Sequence, residues 1–502
     1  METYSYHIFY FPFKWELPGD EQKLFTDQVD LERIPISEYS VWERIQYDPD
    51  EQFVSTDDKA VKERQELFGE LQYYFDFVHP VLYDMKGADN PIIYHFERKE
   101  PKEGHVKYHI IVKQKEYVLC VDAINLNLYS TGVGILSFYL ANHEESQKDE
   151  SSVRDINQFG RRIMPPHSGE FQPKNRCMLA DSISITGLIG DFRYYQDNFD
   201  YKTYSLKENE RGLSDVWRPA IFIESLIKDL SSQLIVTPVI DDRMLVNCWY
   251  GNNELSAEVK NNEDFSKSDV WYRCVFVDNG NDTTCQNEVL KLNLLEKSTY
   301  TRWQKWGTLY GVSRYSLFAL TDRSDFAINV LLMHMRTIYS RMFELVIIQR
   351  ASILRFSGEV TKVSCLSKGS RKLLAERISS LYREYIRFVN QIYFQNTTAQ
   401  DQGIEMYDMM MQQFLLSERI KDLDDEIGEL HQYATLLIDE KRNENGEWLN
   451  KLAACVLPAT VMTGVFGMNP LDENWLSLLG EIGFITICSV ILYHILIKPK
   501  SK

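Results

Sequence analysis

Between Met406 and Leu437 the apolar positions return at steps of three and four, through Met409, Leu416, Ile420, Leu423, Ile427, Leu430 and Ala434, with Gln413 the polar member of the series. This is the a/d rhythm of a helix that must bury a seam against other helices. Asp422, Asp424, Asp425, Glu426 and Glu429 fall between the seam positions and form a charged outer face. No proline interrupts the run before Pro458, so the same helix can continue into the apolar segment Leu452–Phe466. At 1.5 Å per residue a helix from Ile404 to Phe466 is about 90 Å long, far more than one compact core can cover. The alternative on pattern alone is a soluble coiled coil followed by an independent anchor.

Leu452–Phe466 is free of charge but short for a bilayer, which takes about 20 apolar residues. A helix lining a pore tolerates the deficit because one face meets water, and Trp448 and Leu449 recover much of the length. Trp475–Ile497 is long enough for a second span, with Glu481 and His494 near its ends, where they can reach the interfaces. The turn between the two, Pro470–Asn474, is acidic, whereas Lys441, Arg442, Lys451, Lys498, Lys500 and Lys502 flank the other ends. The excess of lysine and arginine predicts both termini in the cytosol and the turn outside.

Gly446, Leu449, Ala453, Leu457, Thr460, Gly464 and Gly467 share one helical face. Read as a pore lining, Leu449 and Leu457 supply apolar constrictions, Thr460 a hydroxyl, and Gly464 and Gly467 close approach of symmetry-related backbones. Read as a packing face, the same small residues seat a neighbouring helix. Asn469 ends the helix. Its amide oxygen, repeated around a symmetric ring, can accept hydrogen bonds from the waters of a magnesium ion, which gives up its hydration shell reluctantly. Asp472 and Glu473 follow at once, either as an acidic mouth that concentrates cations or as solvated turn residues.

Gly467-Met468-Asn469 at the end of the first apolar segment, Pro458-Ala459-Thr460 and Gly464 upstream of it, the second segment and the basic ending at Lys498, Lys500 and Lys502 together resemble the CorA family of magnesium transporters. The resemblance is specific over about Met406–Lys502. It departs from the family at Phe466, where a tyrosine is usual, and in an outer loop that lacks a Met-Pro-Glu-Leu-like element. It implies a CorA-like funnel in the cytoplasmic (inner) membrane: a cytoplasmic α/β domain, a long helical stalk and two transmembrane helices, assembled as a homopentamer. Gly467, Met468 and Asn469 would then carry selectivity, with Asn469 facing the hydrated ion, and the three terminal lysines would lie near the inner end of the pore. The ion needs no cofactor or ATP, since a divalent cation gains about 4.6 kcal/mol per 100 mV of inside-negative potential. The family resemblance further implies closure by cytosolic magnesium at acidic sites between subunits. Asp422, Asp424, Asp425 and Glu426 are candidates, against the plainer reading of a solvated face.

Three regions are expected: an α/β domain over 1–320, a helical stalk over 321–447 and a two-helix pore domain over 448–502. In the first, Thr3–Phe11, Lys107–Lys113, Tyr117–Tyr129, Gln233–Ile240, Arg243–Tyr250 and Val270–Asp278 read as strands, and Lys59–Phe77 and Val133–Asn142 as helices. A helix from a cap at Ser324 to Phe356 carries Arg336, Arg341, Glu344 and Arg350, too many charges for a membrane span, and a further helix is expected over Ser370–Gln395. The net charge of −18 argues against nucleic acid as a partner. The eight cysteines show no metal-binding spacing. Thr131-Gly132-Val133-Gly134 lacks the third glycine of a dinucleotide fingerprint and reads as a tight turn, His105 and His109 lack a ligand companion, and no hydrolase or Walker motif appears, so an enzyme is not expected. Zinc, cobalt or nickel are rival cargoes to magnesium. A membrane-anchored cytosolic sensor with a degenerate CorA-like tail is the rival from another class.

Overall fold

The computed structural model describes residues 2–19, 24–37, 40–48, 58–162, 180–199, 219–240, 243–280, 282–365 and 371–468, with a few more between 479 and 491. Among them thirteen strands form one sheet: β1 (Ser5–Glu16), β2 (Trp42–Arg44), β3 (Ile93–Arg98), β4 (Lys107–Val112), β5 (Lys115–Tyr129), β6 (Val133–Asn142), β7 (Ser182–Thr186), β8 (Gln196–Asn198), β9 (Ile235–Pro238), β10 (Leu245–Gly251), β11 (Thr299–Tyr300), β12 (Leu309–Val312) and β13 (Ser316–Thr321). Their order is β11-β12-β13-β10-β1-β6-β5-β4-β7-β8, with β2 on β3, β3 also on β5, and β9 on β1. β10 pairs with β13 in parallel, and the rest of these ladders are antiparallel.

β1 holds the centre although it contains Pro12, which cannot donate to a ladder. On one side β6 accompanies it from Ser5↔Asn142 to Lys14↔Val133. On the other side β10 ends at Tyr10↔Leu245 and β9 begins at Phe13↔Pro238, so Pro12 falls in the gap between two partners. The ring therefore sits where its missing N–H costs little.

Val133–Asn142, expected as a helix, is strand β6, and all ten residues are buried. A strand covered on both faces loses the alternation that would mark it, and its unbroken apolar run is then indistinguishable from a buried helix. Thr131-Gly132 is a tight turn as expected, but it leads into β6 rather than a helix. Gly132 has φ +74° there, and a Cβ would lie 2.5 Å from Val29 Cγ1. Val270–Asp278, expected as a strand, is the helix Asp269–Phe276. Its signal was the cap: Ser268 Oγ accepts from Trp271 N at 3.2 Å, and Trp271, Tyr272, Cys274 and Val275 then share the buried face.

The helix expected from Ser324 to Phe356 begins where predicted, with Ser324 Oγ accepting from Ala327 N at 3.3 Å, but it is not continuous. A π-type turn over Ala327–Leu331 and a short helix Leu332–Arg336 end at Thr337, and the main helix runs over Ile338–Ser364. Thr337 Oγ1 donates to Met333 O and Ser340 Oγ to Arg336 O, at 2.8 and 2.7 Å, so hydroxyls contend with the backbone ladder at the break. The main helix packs on β1 and β6, and its charges are matched within the protein. Asn127 Nδ2 and Tyr129 OH both donate to Glu344, Arg355 pairs with Glu16 at 2.9 Å, and Arg341 lies 5.6 Å from the Tyr83 ring. Burial opposes the charge on Arg341, and Tyr139, Glu70, Glu344 and Tyr83 outweigh it and hold the guanidinium protonated. Sequence reading found these charges and the packed helix, but not the partners that the sheet supplies.

Two compact units result: residues 1–365 with 380–427, and residues 366–379 with 428–502. The sheet and the 338–364 helix belong to the first.

Candidate cation-conducting helix

The run expected as one helix from Ile404 is two. Asp401–Phe414 ends at Leu415, whose φ of 54° is left-handed, and Leu416–Met468 follows as a single helix of 53 residues. At the break the first helix closes against the 338–364 helix: Phe414 meets Phe343 edge to face at 5.9 Å, and Arg350 stands 5.3 Å over the Phe414 ring. At 1.5 Å per residue the longer helix spans about 80 Å.

Along it the heptad seam is buried at most of its positions. Leu416, Ile420, Leu423, Ile427 and Ala434 are buried, while Leu430 and Leu437 are half-buried. The charged positions between them, Asp422, Asp424, Asp425, Glu426 and Glu429, are exposed, and Tyr385 OH donates to Asp424 Oδ1 at 3.2 Å. Among the described residues no group of three or more His, Cys, Asp or Glu side chains is placed to hold a metal.

Past Leu437 the helix loses its cover but not its apolar residues. Trp448, Leu449, Leu452 and Val456 are 58%, 58%, 42% and 50% exposed, enough to form two adjacent uncovered stripes. Lys451 folds back to Glu447 at 3.6 Å. Of the residues expected to line a pore, Leu449, Ala453, Thr460 and Gly464 are all exposed, Thr460 Oγ1 donates to Val456 O at 3.3 Å, and nothing lies within 4 Å of a Cβ built on Gly464. The adjacent stripe of Trp448, Leu452 and Val456 is equally bare. Leu457 is helical in backbone, as are Gly467 and Met468, the last two residues of the helix, and the side chains of Leu457 and Met468 lie outside the described residues. Asn469, Asp472, Glu473, Lys498, Lys500 and Lys502, and most of the expected second span, also lie outside them. Among the described residues no helix is long and apolar enough to cross a membrane.

The histidines set aside in the sequence have ordinary partners. His109 bonds to Glu116 and Thr186 at 2.8 and 3.0 Å, and His105 Nε2 lies 2.9 Å from Gly187 O.

A large sheet-rich domain followed by long helices, the last carrying a bare apolar segment, defines the class. Within it, residues 313–498 match the family model described as CorA-like Mg2+ transporter protein, so the C-terminal part of this chain, less than half of its 502 residues, is CorA-like. The CorA magnesium transporter from Methanocaldococcus jannaschii is similar at 15% identity, with 53% of this chain and 94% of that chain covered, and a TM-score of 0.18. No curated protein matches the chain.

Proposed function

We propose that the protein is a homo-oligomeric CorA-like channel that passes magnesium or a related divalent cation down its electrochemical gradient. The observation that supports this reading most is the 53-residue helix within the CorA-like segment, which leaves its buried seam after Leu437 and carries Trp448, Leu449, Leu452 and Val456 into the open. Exposed apolar residues at this density call for cover, and lipid together with neighbouring copies of the same helix provides it on both stripes.

In this reading residues 448–502 form the two-helix pore domain, 321–447 the stalk and 1–320 the cytoplasmic domain, with both termini cytosolic and five copies around the axis. Leu449, Ala453, Leu457, Thr460 and Gly464 line the path, and Leu449 and Leu457 close it by dewetting. Gly467, Met468 and Asn469 form the filter, where a ring of amide oxygens accepts hydrogen bonds from the ion's own waters. Asp472 and Glu473 gather cations at the mouth, and Lys498, Lys500 and Lys502 fix the inner end.

The test is magnesium uptake into proteoliposomes under an inside-negative potential, comparing the intact chain with Asn469→Ala and adding zinc, cobalt and nickel as competitors. Uptake in the intact chain that falls at least tenfold in the variant is expected. Well-folded protein that moves none of the four metals would refute the channel and favour the anchored sensor.

A further inference from the structure

Lys107 on β4 and Cys120 on β5 are register partners, both half-buried, and Lys107 Nζ lies 2.7 Å from Cys120 Sγ. That separation is ordinary for nitrogen to oxygen and short for the larger sulfur atom. Among the described residues no carboxylate forms an ion pair with Lys107. His109, two residues along the same strand, is engaged by Glu116 and Thr186, and Asp122 accepts from Tyr6 OH at 3.0 Å. Of the other described cysteines, burial pushes the Cys248 thiol up to about 12 and the Cys274 thiol well above its ordinary value, Cys285 Sγ donates to the Asn287 carbonyl oxygen at 3.6 Å, and Cys365 is exposed after the end of the 338–364 helix.

We propose that Lys107 and Cys120 are a peroxide-responsive modification site that closes into a reversible covalent cross-link between β4 and β5. The chemistry follows from a half-buried thiol with a cationic neighbour, the kind of setting in which cysteine reacts with peroxides. The Cys120 sulfur attacks one oxygen of hydrogen peroxide. The O–O bond breaks, the sulfur is oxidised by two electrons to the sulfenic acid, and the other oxygen leaves as hydroxide and takes up the thiol proton to become water. Lys107, after giving its extra proton to solvent, attacks the sulfenic sulfur. The N–S bond forms, the S–O bond breaks, and the hydroxyl leaves as water with a proton from the amine. One thiol, one neutral amine and one peroxide thus give one sulfenamide and two waters, and a thiol reductant returns both side chains. Because the partners already oppose each other on one ladder, closure moves only the end of the lysine side chain. The inference stands apart from the transport reading and survives its failure.

The experiment treats the purified full-length protein with hydrogen peroxide and maps peptides without reduction, beside Lys107→Arg and Cys120→Ser. The expected result is a joined peptide containing Lys107 and Cys120, lighter by two hydrogens than the sum of its parts. It should be abolished by dithiothreitol and absent from both variants. Lys107→Arg keeps the stem and the charge but not the nucleophilic amine, so trapping of the sulfenic acid by dimedone at Cys120 should rise several-fold over the unchanged protein. Equal dimedone labelling in the two, with no joined peptide, would overturn the proposal, as would a Cys120 that does not react with peroxide. A joined peptide heavier by one further oxygen would overturn the direct N–S bond.

Discussion

His7 lies fully buried on β1, with Nδ1 2.7 Å from Asn157 Oδ1 and Nε2 2.9 Å from Ser5 Oγ. These partners suit the neutral ring, in which Nδ1–H donates to the amide oxygen and Nε2 accepts from the hydroxyl. Burial pushes its pKa from 6.5 down to about 4, against the smaller opposing effect of the Asn157 hydrogen bond. The folded value lies below the unfolded one, so the stability contribution is complete above pH about 6.5 and is lost as pH falls toward about 4, amounting to ~3 kcal/mol. Chemical unfolding followed by circular dichroism should show this loss between pH 7 and pH 4, and His7→Gln should flatten it. Equal pH slopes for the two proteins would show that other groups control acid sensitivity. The sequence placed His7 within an expected strand but offered no reason to single it out, because its meaning comes from Asn157, 150 positions away in the chain.

At the level of elements, the break at Leu415 is the feature that periodicity could not reveal. The heptad spacing runs through it without a skipped position, yet Leu415 adopts a left-handed conformation and its N–H donates to Gln412 O at 3.1 Å. A branched side chain in that region carries a cost of ~1–2 kcal/mol, offset here by the packing of Phe414. Leu415→Gly should therefore raise stability by roughly 0.5–1 kcal/mol once the looser unfolded chain is allowed for, read as a higher thermal midpoint. A lower midpoint would mean that the Leu415 side chain itself supports the corner. The same contrast between local signal and tertiary context explains which elements were legible. β4 and β5, exposed on one side along part of their length, were found within about two residues at either end. β6, buried on both faces, was taken for a helix, and the helix Asp269–Phe276 was taken for a strand because Trp, Tyr, Val and Phe dominate it.

At the scale of the whole molecule, the first unit carries its own sheet, core and charge pairs, and the apolar residues left bare on the long helix lie beyond it. A chain ending at Arg442 should be soluble without detergent and keep its thermal midpoint within a few degrees, whereas the full chain should remain with membranes through carbonate washing. Loss of folding in the shortened chain would show that the terminal region supports the sheet. The candidate site remains a reading of the sequence, since Gly467-Met468-Asn469, Pro458 and Thr460 need no fold to be recognised and Asn469 lies outside the described residues. Its three-dimensional face is not legible there, since in the proposed channel a ring of copies would decide which stripe meets the ion. The central place of β1 has a different consequence, for synthesis. This strand leaves the ribosome well before its neighbours β6 and β10, which begin at Val133 and Leu245. At roughly 5–20 residues per second, an aromatic strand with both edges open waits on the order of ten seconds for its first neighbour and longer for its second. Pro12 and Lys14, which interrupt the run Phe9-Tyr10-Phe11-Pro12-Phe13-Lys14, then act as gatekeepers against pairing with a neighbouring nascent chain.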